Sequence, residues 1–212
     1  MILRERCKIA KLLCTELSTN IYKNFTYKLI DYHNLKTLCG IFIDTFNSSD
    51  SYQAYFIIEP LFIPLGFWDL SYGRYVNAYT KEDIVLSLKD MVKAYSYNIE
   101  PINNFEDIYN GLISQSIQNS GSEIYLLELL IYMSLELKHY REYLEYIKTF
   151  KKVSKELDAP WKDVIIQRVE TIVKLYETGN LQLLHNTLLE WQNHTIKALK
   201  LPADLLVEVS DD

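Results

Sequence analysis

The stretch EPLFIPLGFWDLSYGRY, residues 59–75, gathers the side chains best equipped for chemistry. Glu59 sits between the apolar pairs Ile57–Ile58 and Leu61–Phe62, while Asp69 and Arg74 flank an aromatic group of Phe67, Trp68, Tyr72 and Tyr75. Two carboxylates in an aromatic pocket are the raw material of general acid–base catalysis, so Glu59 and Asp69 define one enzymatic reading. A carboxylate beside an arginine makes a structural ion pair equally well. Aromatic residues and arginine also anchor protein interfaces, which makes Asp69, Tyr72, Arg74 and Tyr75 a candidate partner-binding patch.

Other chemistries find less to work with. His185 and His194 are nine residues apart on one predicted helix, about 900° of rotation, so they point to opposite sides and do not share an ion. His33 and His139 complete the set, and no HExxH or CxxC spacing is present, so neither a metal site nor a cofactor is expected. The G-x-S-x-G elbow, the phosphate-binding loop and the dinucleotide G-x-G-x-x-G run are missing from a chain with 6 glycines. Cys14 lies on an apolar-leaning helix, where it reads as a small hydrophobe rather than a nucleophile. Cys7, Cys14 and Cys39 leave one thiol over in any pairing, which fits a reducing compartment.

The elements that must position these residues follow from hydrophobic period. Residues 2–22 place Ile2, Ile9, Leu13 and Leu17 on one helical stripe. FTYKLIDY, TLCGIFIDTF and YQAYFIIEPLFI then read as three antiparallel strands, joined at His33–Asn34 and at Asn47–Asp50. Pro60 and Pro64 suit a strand end near Ile63, and Asp69–Tyr72 is a possible fourth short strand. TKEDIVLSLKDMVKAY has Thr80 as N-cap and Ile84, Leu88, Met91 and Tyr95 at helical spacing. Beyond Pro101 the pattern predicts helices over 105–118, 122–138, 140–157, 160–178 and 181–199. Ser120–Gly121, Asp158–Ala159 before Pro160, and Gly179–Asn180 supply the breaks. Short connections make these antiparallel hairpins. Two pairs of about 38 residues do not make a solenoid. The last residues, ADLLVEVSDD, fray or dock through Leu205, Leu206 and Val207.

The 212 residues hold 22 basic and 28 acidic side chains, a formal charge of −6. Residues 1–98 carry 11 basic and 10 acidic residues, and residues 99–212 carry 11 and 18, so the acidity belongs to the second part. Such a balance disfavours nucleic acid and anionic membrane as partners. Lys148, Lys151, Lys152 and Lys155 form a basic stripe within that acidic half, best read as a solvated face opposite Tyr143, Ile147 and Phe150. The opening residues MILRERCKIAKLLC lack the continuous apolar core of a secretory signal, and no run approaches a membrane span, which points to the cytoplasm. Tyrosine is abundant at 17, which suits half-buried faces and interfaces and also matches an AT-rich coding bias.

EPLFIPLGFWDLSYGRYV resembles the strand-and-turn signature PL(Y/F)IP … LxxG.R of a family of small bacterial proteins known as a domain of unknown function. LLEWQNHTIKALKL, residues 188–201, resembles the closing helix of similar chains. Some members of such families are read as immunity proteins of polymorphic toxins. The resemblance therefore implies protein binding rather than catalysis.

The expected fold is α+β: an N-terminal helix on a three- or four-stranded antiparallel meander, residues 1–98, then a bundle of helical hairpins, residues 99–212, able to share one core. The expected function is that of a cytoplasmic protein-binding protein, of the immunity type, whose protein partner is a toxin. Two alternatives stand beside it: an enzyme using Glu59 and Asp69, and a helical adaptor using the groove between the last two hairpins.

Overall fold

The computed structural model describes residues 3–45, 51–65, 74–80, 84–113 and 120–209. Helix α1 (Leu3–Leu17) precedes strands β1 (Asn20–Tyr22), β2 (Phe25–Tyr32), β3 (Leu35–Thr45), β4 (Ser51–Pro60) and β5 (Arg74–Thr80). Helices α2 (Ile84–Asn98), α3 (Phe105–Ile113), α4 (Ser120–Glu136), α5 (Tyr140–Glu156), α6 (Lys162–Glu177) and α7 (Leu181–Leu199) follow, with a short 3-10 turn at Ala203–Leu205. The α+β expectation holds, with a sheet of five strands in the order β1-β2-β3-β4-β5, every pair antiparallel.

Local chemistry accounts for most boundaries. Ser18 adopts a left-handed conformation (φ 52°) and Thr19 N–H returns to Cys14 C=O, so α1 stops at Leu17 rather than continuing to Tyr22. The freed residues become β1. His33 and Asn34 both have positive φ (49° and 71°), the geometry of a tight two-residue hairpin turn, as their types suggest. Pro60 ends β4 opposite Thr37, and β5 pairs only with residues 51–56, so the missing proline donor falls beyond the reach of the second neighbour.

Four expectations need correction or fall outside the description. The strand after β4 is Arg74–Thr80, and the expected short strand at Asp69–Tyr72 lies outside the described residues, as does the Asn47–Asp50 loop. Thr80 is the last residue of β5, paired with Ser51, and residues 81–83, on which its expected role as the N-cap of α2 depends, lie outside the described residues. Ser120 and Gly121 belong to the first turn of α4.

The sheet buries both faces. Alternation sends Cys39, Ile41, Ile43, Ala54, Phe56 and Ile58 towards α1, α2 and α3. The opposite face, with Phe25, Tyr27, Leu38 and Ile57, is closed by Ile196 and Leu199 of α7 and by Leu201 and Leu205 beyond it. The first apolar cluster is continuous from Ile9 of α1 to Leu189 of α7, so residues 1–98 and 99–212 share a core. Among the described residues no helix is long and apolar enough to cross a membrane.

Side-chain bonds fix α7 on the sheet. Gln192 accepts from Lys36 N–H through Oε1 (2.6 Å) and donates to Asn34 C=O through Nε2 (2.9 Å). Thr195 donates to Ile63 C=O at 2.8 Å. Residues 203–207 of the tail dock: Asn193 exchanges two hydrogen bonds with the Val207 backbone, and Leu205 is buried, although Leu206 is exposed.

Candidate functional site

The sequence-predicted patch is only partly brought together. Asp69 and Tyr72 lie outside the described residues, and of Arg74 the backbone alone is described, opposite Phe56 at the start of β5. Tyr75 stands on the outermost strand, 53% exposed, with its ring edge-to-face against Tyr55 at 5.7 Å between centroids. Its neighbour Val76 is the extra residue of a bulge, since Ala54 faces Asn77 while Tyr55 faces Tyr75. Bulges near sheet edges re-aim side chains, and this one turns Tyr75 towards water. Glu59 is different. It shares the face of Tyr55 and Ile57, four residues and about 13 Å from Tyr55 along the strand, and is 0% exposed. A catalytic carboxylate must meet its substrate, and this one meets only protein.

Two polar constellations elsewhere look chemical and are structural. Arg168 of α6 forks onto Glu128 of α4, with Nε to Oε1 and Nη2 to Oε2 both at 2.7 Å, and Tyr132 donates to the same carboxylate at 2.9 Å. Glu128 is fully buried, so the bidentate pair is the means of holding a charge inside the bundle. His185 of α7 faces the Glu136 carboxylate of α4 through Nδ1 (3.1 Å) and the His33 carbonyl through Nε2 (3.0 Å). Both partners are acceptors, so the geometry favours a ring carrying protons on both nitrogens. The hydrogen bond to Glu136 accordingly raises the His185 pKa above its ordinary value, against the opposing effect of burial. With both nitrogens engaged, the imidazole joins α7, α4 and the β2–β3 turn and is not poised as a base.

The cysteines offer no nucleophile of note. All three are free; Cys39 is buried, which pushes its thiol up to about 12, and Cys14 donates to Thr19 C=O. Among the described residues no cluster of His, Cys, Asp and Glu could hold a metal ion.

Helix α2 carries several exposed apolar side chains. Met91 and Tyr95 of the predicted stripe are buried, joined by Ser87, which finds partners in the Tyr52 hydroxyl and the Ile84 carbonyl, whereas Ile84 is exposed and Leu88 only half-buried. Val85 is 70% and Tyr97 83% exposed, at opposite ends of the helix, and Leu86 is exposed next to Val85. On one side, a groove of about 450 Å³ between α1 and α2 is floored by Leu88 and Val92 and walled by Leu12 and Val85. On the other, a cleft of about 300 Å³ separates α2 from Val76 and Tyr79 of β5. The α5–α6 groove, about 380 Å³, has Ile147, Phe150 and Val169 beside Lys151, Glu170 and Lys174, a mixed rim of no single sign.

Sequence reading missed the α2 surface, although its signal was present. IVLSLKDMV has more apolar positions than one buried stripe can use, and Val85, Leu86 and Val92 were the surplus.

No family model matches the chain. No curated protein and no solved structure matches it either.

Proposed function

We propose that this chain is a cytoplasmic protein-binding protein of the immunity type, which neutralises a toxin by covering it. The observation that supports this reading is the set of exposed apolar side chains around α2. Leu12 and Val85 wall the groove between α1 and α2, Leu86 is exposed on α2, Tyr97 stands exposed at the far end of that helix beside the β5 cleft, and Tyr75 is exposed on the outer strand, on the sheet face of Tyr55. Exposed apolar and aromatic side chains of this kind mark interaction sites. The resemblance of residues 59–76 and 188–201 to domains found among immunity proteins points the same way. So does the acidity of residues 99–212, since an acidic inhibitor meets the basic nucleic-acid cleft of a nuclease toxin in a complementary field.

The test is affinity capture with the tagged chain from lysate of its own source at low and moderate salt, with mass spectrometry of the eluate. Growth is then measured when the captured protein is produced with and without this chain. A stoichiometric partner whose toxicity the chain relieves is expected. Tyr97→Ala and Tyr75→Ala should each weaken capture roughly tenfold with unchanged thermal stability, the loss typical of an aromatic anchor. A partner held equally by both variants would overturn this placement of the interface, and a partner that is harmless alone would overturn the immunity reading.

A further inference from the structure

We propose that the groove between α1 and α2 docks an amphipathic helix of the partner, one whose apolar stripe is flanked by Asp or Glu; this rests on the protein-binding reading above and specifies its partner.

Spacing argues for a helix. Lys8, Leu12 and Glu16 stand at i, i+4 and i+8 on the exposed side of α1. Val85, Lys89 and Lys93 repeat the same interval on α2, with Leu88 and Val92 recessed between the two rows. Rows at this interval are the ridges into which the side chains of a third helix interdigitate, and an extended strand, with its period of two, would not keep step with them.

Charge argues for acidic flanks. Lys89 and Lys93 border the groove on α2, Lys8 extends the α1 row, and Lys11 is exposed beside it. Among the described residues Glu16 is the single acid lining the groove, and Asp90 of α2 turns to the β5 cleft instead. This basic rim on an apolar floor belongs to a chain whose net charge is −6, so it is a local reversal of the overall field. Complementary rim charges guide encounter and reject partners of the wrong sign. Two other occupants fit less well. The chain's own C-terminal segment is already held on α7 through Asn193 and Leu205. A second copy would bring lysine rims face to face.

Two fluorescein-labelled, hydrocarbon-stapled helical peptides of about four turns test the assignment. They share a leucine stripe, one flanked by Glu and the other by Lys, and are titrated against the full chain by fluorescence anisotropy, with the contact mapped by amide shifts. The Glu-flanked peptide is expected to bind at least about tenfold tighter, to weaken as salt rises, and to shift Leu12, Val85 and Val92. The exposed double reversal Lys89→Glu/Lys93→Glu should invert the preference. Equal binding of both peptides, binding by neither, or a dimer of the chain abolished by Leu12→Asp would overturn the proposal. A captured partner that the double reversal and Leu12→Asp still hold would overturn the groove and leave the protein-binding reading intact. Peptide selectivity with no toxin found would support the groove while the immunity reading fails.

Discussion

Gly40 is confined to hydrogen as its side chain by the strand beside it. A Cβ built there would lie 2.0 Å from the Thr26 carbonyl oxygen and 2.7 Å from the Phe25 ring, both on β2. Gly40→Ala must therefore part the central strands, and we expect a loss of about 2–3 kcal/mol or outright failure to fold, read by urea denaturation. Sequence alone showed a glycine inside TLCGIFIDTF but not its contact, because the register with Tyr27 is set by a hairpin turn several residues away. Glu59 shows the same limit: its neighbours announced burial, but which face it took depended on α7, over a hundred residues later. His185 gives a prediction in pH. Its pKa is raised in the fold, so its contribution is complete below the unfolded value of about 6.5 and disappears as pH rises through the higher folded value. The excess thermal stability of the wild type over His185→Gln should be largest near about pH 5.5 and shrink towards about pH 8.5. Glu136→Gln should flatten that slope, and a slope unchanged in both variants would remove His185 as its source.

Elements were legible where period and caps agreed. The helix at Leu181–Leu199 and the strand at Phe25–Tyr32 appear with the boundaries their sequences predict, since Gly179, with φ 73°, and the His33–Asn34 turn act locally. The strand Arg74–Thr80 was not legible, because RYVNAYT has little apolar alternation and owes its conformation to pairing with β4. Between helices, the Glu128–Arg168 pair joins α4 to α6, and its removal should be asymmetric. Arg168→Ala leaves a buried carboxylate and should cost about 3–5 kcal/mol, whereas Glu128→Leu combined with Arg168→Met should recover most of that loss. Equal destabilisation by the single and double variants would show that helix packing, and not charge, is at stake there.

At the scale of the molecule, the sheet lies between two helical layers, and the second layer is supplied late. Lys36 of β3 meets Gln192 of α7 across a separation of 156 residues, and Tyr22 of β1 reaches the Lys200 carbonyl across 178. Gln192→Ala should cost about 2–3 kcal/mol by stranding the buried Lys36 N–H and the Asn34 carbonyl, with hydrogen exchange at Lys36 accelerated in step. A ribosome adding about 5–20 residues each second needs on the order of ten seconds to deliver α7 after β3 has emerged. Through that interval Phe25, Leu38 and Ile57 have no lid, so the nascent sheet is sticky for far longer than a local hairpin takes to form. A chain stopped at Asn180 is therefore expected to accumulate in aggregates rather than as a smaller soluble protein, and shielding of that face during synthesis becomes a condition for obtaining the protein at all.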